Sequence, residues 1–334
     1  MLYKSSSDNV LRFMKMDIKK ILPVIGLIIL IYILSTLDLP TIIEIFSNIN
    51  PIYSILSFFS IVPIVLLTNI QWQILLKKQK IHVSFLYSLK NIFIGYFYGF
   101  ITPGGIGAYT RALYLKHESK APLPKCVSNI ITFNTIDFIT LLLLGTIGAL
   151  LLSGQFPDLF LPILVVLIIV LFLFVFFLKK EKSKIVFTKL VQSKIFATVK
   201  DRLEDPIESF YENLPSFKDV LLPFTISIIG WIVRFSELYL ISKLFQIHVP
   251  YIYFILIIAV ADVIAAIPIS IFGLGIREGS LISLFSIFSI IPEKIVSLSL
   301  FWFVLVWFFP SVIGAIITVF ESKNIGQLTS KKII

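Results

Sequence analysis

Apolar residues run through this chain in continuous stretches rather than in alternation. Six stretches, at about 21–37, 52–76, 126–152, 158–178, 219–245 and 295–320, are long enough as helices to cross a hydrocarbon core of roughly 30 Å. Membrane strands would alternate instead, so a barrel is excluded. Two further stretches, about 85–118 and 251–291, each consist of an apolar piece, a glycine-rich break and a shorter apolar piece. The breaks read Thr102-Pro103-Gly104-Gly105-Ile106-Gly107 and Phe272-Gly273-Leu274-Gly275-Ile276. Glycine and proline at this density interrupt a helix. In a bilayer the freed backbone groups need protein or water partners, so such breaks line a cavity. The expected fold is an all-α polytopic membrane protein with about six full transmembrane helices and two glycine-broken re-entrant hairpins.

Charge placement fixes an orientation for these elements. With the N-terminus inside, the loop at 38–50 falls outside and carries Asp38 and Glu44 but no Lys or Arg. Lys77, Lys78 and Lys80, and then Arg111, Lys116, Lys120 and Lys125, both belong inside. The two demands agree if 85–118 enters and leaves by the same face. Treating 251–291 likewise places both termini in the cytoplasm of a cell-membrane protein. A displacement of 168 residues lays 52–76 on 220–244, 85–101 on 253–269, the two Gly-x-Gly breaks on each other and 126–152 on 294–320. The single membrane domain, 1–334, then divides into a unit at about 21–152 and a unit at about 158–320 with opposite orientation. Inverted repeats with broken helices point to a transport site between them. The cytoplasmic loop 179–218 reads as an amphipathic, interfacial segment, with Ile185, Leu190, Ile195, Val199 and Leu203 at helical spacing and lysines on other faces.

Composition agrees with this reading. Of 334 residues, 57% are hydrophobic and 14% charged, against about 25% charged in a soluble domain. The net charge of +10 sits in lysines beside the ends of apolar runs, so it addresses lipid headgroups and argues against nucleic acid. Cys126 has no partner for an internal disulfide, and His82, His117 and His248 lack metal-ligand spacing. No metal or cofactor is expected. Phosphate-loop, nucleophile-elbow and zinc-helix motifs are absent.

The informative residues are charges in expensive places. Arg111 follows the first break and Arg277 the second, each on the first turn of an emerging helix. There a guanidinium and the free backbone N–H groups of Gly104, Gly105, Gly107, Ser270, Gly273 and Gly275 can meet one anion together. Glu278 either neutralises Arg277 or helps to select a cationic headgroup. Arg234 and Glu237 lie three apart on one helix and form a structural ion pair or part of a pathway. Asp137 and Asp262 serve as arginine counter-ions or as proton-coupling groups. Asn91, Asn129 and Asn134 suit hydrogen bonds between helices.

The run Pro268-Ile-Ser270-Ile-Phe-Gly273-Leu-Gly275-Ile-Arg277-Glu278-Gly279 resembles the signature of the flippase-like family named for the transmembrane region of lysylphosphatidylglycerol synthase. Thr102-Pro103-Gly104-Gly105-Ile-Gly107-Ala-Tyr-Thr-Arg111-Ala112 is similar to that family's first motif. It departs from the motif at Ala108-Tyr109-Thr110, where relatives often carry an acid. The resemblance implies movement of lipids or lipid-linked headgroups between leaflets, or attachment to an enzyme that makes such lipids. In the synthases a soluble aminoacyl-transferase domain follows. Here the chain stops about a dozen residues after the last span, and that domain is expected to be absent.

The reading that follows is a flippase or scramblase-like transporter for an anionic phospholipid or polyprenyl-phosphate headgroup. Arg111 and Arg277 would share one chamber, and one repeat would rock against the other. The alternatives are an integral-membrane enzyme, or the membrane partner of one, for lipid aminoacylation or glycan-lipid assembly, and a carrier for small ions. Expected partners are membrane lipids and a lipid-modifying enzyme.

Overall fold

The computed structural model describes residues 28–191, 210–211, 214–267 and 273–330, and every regular element among them is helical. In chain order these are α1 (Ile28–Thr36), α2 (Leu39–Ser47), α3 (Pro51–Lys78), α4 (Phe85–Phe100), α5 (Arg111–Ser119), α6 (Leu123–Leu151) and α7 (Pro157–Leu178). Then follow α8 (Lys180–Val191), α9 (Phe217–Ser242), α10 (Tyr251–Ala265), α11 (Ile276–Phe285), α12 (Pro292–Phe303) and α13 (Phe309–Ser330). A π-helical turn, Val304–Phe308, joins α12 to α13. Five rods are long and apolar enough to cross a bilayer: α3, α6, α7, α9 with its short extension to Phe245, and Pro292–Glu321. The protein is a multi-pass membrane protein.

The first span differs from expectation. After α1 the chain bends by 88° into α2, so the stretch expected as a loop at 38–50 is largely helical. Pro40 sits in the first turn of α2, where its missing N–H costs nothing, and the Thr41 hydroxyl donates to the Asp38 carboxylate ahead of it. Beyond α7, α8 supplies the start of the expected amphipathic segment. The rest of that reading, including Ile195, Val199 and Leu203, falls outside the described residues.

Both broken stretches fold as helix, break, helix. The leading arms α4 and α10 have 16 and 15 residues, or roughly 24 and 22 Å at 1.5 Å per residue, too short for a full crossing. Each segment closes on its own start. Lys125 Nζ donates to the Lys80 carbonyl at 3.5 Å, and Lys294 Nζ donates to the Gln246 carbonyl at 3.5 Å.

Left-handed residues fall at the ends and in the breaks of both interrupted stretches: Lys80 (φ 53°), Gly105 (70°) and Lys120 (59°) in the first, and Gln246 (54°), Gly273 (77°), Gly275 (83°) and Ser289 (54°) in the second. The packing crosses between the two. Helix α4 lies along α13, α10 lies along α6, and α3 lies against α9. Close approach is set by glycines: a Cβ on Gly148 would meet the Leu256 carbonyl at 2.7 Å, and one on Gly314 would overlap the Phe93 carbonyl. The largest core joins α6, α9, α10, α11 and α12, and a second joins α3, α4, α5 and α6. Helix α7 turns Leu161, Ile168 and Phe172 outward, as a lipid-facing wall does.

Candidate functional site

The first break is held by Thr102. Its hydroxyl donates to the Tyr98 carbonyl and accepts the Gly107 N–H, both at 2.7 Å. Gly105 N–H returns to the Thr102 carbonyl at 3.1 Å. In the second break, Glu278 turns back on the start of α11. Its carboxylate accepts the Gly275 N–H at 2.5 Å and the Ser299 hydroxyl at 2.6 Å. Glu278 is fully buried and caps the start of α11. The N–H groups of Gly105, Gly107 and Gly275 are therefore bonded inside the protein and are not the free donors that the sequence suggested. Gly104 lies in the tight turn Pro103–Thr110, and Ser270 lies outside the described residues.

The two breaks meet. Gly105 from the first and Gly273 from the second line one cavity of about 260 Å³, together with Arg234, Asp262 and Arg277. Trp231, Trp302 and Trp307 form its aromatic walls. Arg277 Nε lies 3.7 Å from Asp262 Oδ1, so α10 supplies a counter-ion to α11 across the second break. The Arg234 guanidinium lies 4.6 Å from the centre of the Trp231 ring. That indole is anchored by its N–H to the Asp137 carbonyl at 3.2 Å.

Arg111 is elsewhere. Its guanidinium is 5.2 Å from the Trp72 ring and 5.7 Å from that of Phe133, and it donates to Asn134 Oδ1 at 3.2 Å and, through Nε, to the Ala108 carbonyl at 3.1 Å. A Cβ on Gly95 would strike its side chain, so α4 closes over it. The shared chamber of Arg111 and Arg277 is thus replaced by one that Arg234 and Arg277 line. The expected pair of Arg234 with Glu237 is not formed either, because the aromatic face of Trp231 holds the guanidinium one turn earlier.

Asp137 accepts from Ser227 at 2.7 Å across the α6–α9 contact. It interacts electrostatically with Arg234 and Arg111, while Asp262 does so with Arg277 and Arg234. The result is a chain of alternating sign: Arg277, Asp262, Arg234, Asp137, Arg111. The asparagines join helices as expected, with Asn129 taking the Trp72 indole N–H at 2.7 Å and Asn91 donating to the Arg111 carbonyl at 3.2 Å. The tryptophan walls were not anticipated. The three-residue spacing of Trp231 and Arg234 was the available signal.

A cavity lined by charges where two interrupted helices meet inside a bundle of spans defines a polytopic membrane protein with a charged interior site. The chain belongs to the family described as the lysylphosphatidylglycerol synthase TM region, whose profile matches residues 21–314. It is similar to the UPF0104 membrane protein MJ1595 of Methanocaldococcus jannaschii, with 24% identity over 341 residues, covering 95% of this chain and 100% of that protein.

Proposed function

We propose that this protein moves lipids with an anionic, phosphate-bearing headgroup between leaflets, the lipid being a phospholipid or a polyprenyl-phosphate carrier. The observation that carries this reading is the cavity itself: glycines of both breaks, two arginines and one carboxylate at one place. Two guanidiniums and one carboxylate face the cavity directly, a set suited to a phosphodiester. A neighbouring apolar groove of about 360 Å³, between α6 and α7, shares Ala266 and Ile267 with the cavity and offers room for a hydrocarbon chain. The short broken helices, closed at Lys80–Lys125 and Gln246–Lys294, support re-entrant hairpins. The matched left-handed residues support a repeat. The lysine distribution supports cytoplasmic termini in a cell membrane.

The test is reconstitution in vesicles carrying a fluorescent phosphatidylglycerol in both leaflets, with a membrane-impermeant quencher. The expected result is rapid loss of the inner-leaflet signal with the wild-type chain and slow loss with Arg277→Ala of equal incorporation. Equal rates in the two proteins would remove Arg277 from the site. The family's description favours a second reading, a membrane region serving lipid aminoacylation. Product formation by the purified chain, supplied with an activated donor and phosphatidylglycerol, tests it.

A further inference from the structure

Glu237 is the buried group that the site described above does not use. It is 8% exposed, and neither carboxylate oxygen has a hydrogen-bond partner. One turn away on α9, Arg234 Nε is also buried without a hydrogen-bond partner, although the spacing of the two residues allows a salt bridge. Both groups carry an unmet need that the other can meet. A bare carboxylate at this depth is costly, and it either finds a cation or takes up a proton.

Among the described residues, Arg234 alone acts electrostatically on Glu237. The helices packed around α9 carry Lys77 and Lys78 on α3, Lys125 and Asp137 on α6, Asp262 on α10, and Glu293 and Lys294 on α12, and the short extension of α9 carries Lys243. Of these, Asp137 and Asp262 act on Arg234 instead. Arg111 and Asp137 offset one another, and Glu278 is satisfied by its cap and by Ser299. A hydrogen-bonded carboxylate still contributes its charge, and Glu278 acts on Asp262. Protonating Glu237 therefore makes the cluster around the cavity one charge more positive, whatever its starting sum.

The geometry points to Glu237 as a proton-coupling residue: Arg234 alternates between an ion pair with ionised Glu237 and an anion in the cavity, and Glu237 takes one proton from water as the anion binds. This rests on the anionic-headgroup reading of the same cavity and adds its regulation. In the structure the guanidinium lies on Trp231 beside the cavity and away from Glu237, which is the receptive arrangement. Loading one proton with one monoanion keeps the site's total charge constant, so the coupled step is electroneutral.

The experiment is calorimetric titration of the detergent-solubilised chain with soluble short-chain phosphatidylglycerol, in two buffers of different ionisation enthalpy. The expected result is uptake of close to one proton per bound lipid. Wild-type affinity should fall about tenfold per pH unit once the empty protein rests in its paired form. Glu237→Gln should bind with an affinity that no longer follows pH. Binding without proton uptake by the wild type, or unchanged pH dependence in Glu237→Gln, overturns the coupling while leaving the anionic-headgroup reading intact. Absence of binding overturns that reading and the coupling built on it. Infrared spectra of the empty wild-type protein and of Glu237→Asp provide a separate arm. A protonated-carboxyl band that titrates and shifts in the Asp variant is expected, and its absence at every pH overturns the proposal whether or not lipid binds.

Discussion

The Lys78 ammonium lies 3.3 Å from the Asp219 carboxylate, joining the last residue of α3 to the first turn of α9. At the opposite end, Phe46 ahead of α3 meets Phe245 beyond α9 at 5.9 Å between ring centres. Helices α3 and α9 therefore run antiparallel. The contact itself is exposed and contributes little energy; its value is directional.

That direction predicts a labelling pattern. Cys126 is fully buried, so a Cys126→Ser background carries new cysteines cleanly. Cysteines at Lys80 and Lys120 should react with an impermeant thiol reagent from one side of the membrane, and cysteines at Asn48 and Ser289 from the other. Reaction of the Lys120 and Ser289 positions from one face would rule out opposite orientation of the two halves.

Asp262→Asn should destabilise the protein by about 3 kcal/mol, because it leaves the Arg277 charge buried without its carboxylate. Adding Arg277→Gln should recover part of the loss, with a coupling of at least ~1 kcal/mol in a double-mutant cycle. Thermal unfolding in detergent, followed by tryptophan fluorescence, measures both.

Arg111 and Arg234 should fail in different ways. Arg111→Ala removes a packed side chain from between Trp72, Phe133 and α4 and should cost about 2–4 kcal/mol. Arg234→Gln takes the facing cation from Asp137, Asp262 and Glu237, so it should cost about 1–2 kcal/mol and weaken binding of short-chain phosphatidylglycerol at least tenfold. Paired melting and binding measurements separate the two effects.

Glycine substitutions should split by backbone and space. Gly273→Ala forces a side chain into a left-handed position and against Ala265 Cβ at 2.6 Å, a loss of about 2 kcal/mol or more. Gly230→Ala, in mid-helix with nothing within 4 Å, should raise stability by about 1 kcal/mol. The opposite signs are read from the same melting curves.

The spans and both breaks were legible because bilayer physics writes them coarsely: continuous apolar runs, and glycines where a helix must stop. Helix α2 was hidden, since nine residues between Asp38 and Asn48 carry too little pattern to announce a right-angle bend. The place of Arg111 was beyond reach for another reason. Its cage is built by Trp72 and Phe133 from two other helices, and only the packing of α3 on α6 brings them together. For Arg234, spacing revealed Glu237 on one side but Trp231, three residues on the other side, was passed over, and which one holds the guanidinium depends on the shape of the cavity.

The glycine seats at Gly314 under Phe93, and at Gly145 and Gly148 beside α10, lock α4 to α13 and α10 to α6. The earlier and later parts of the chain are interlocked like clasped fingers. Either part expressed by itself would leave α4 or α10 without the surface it grips.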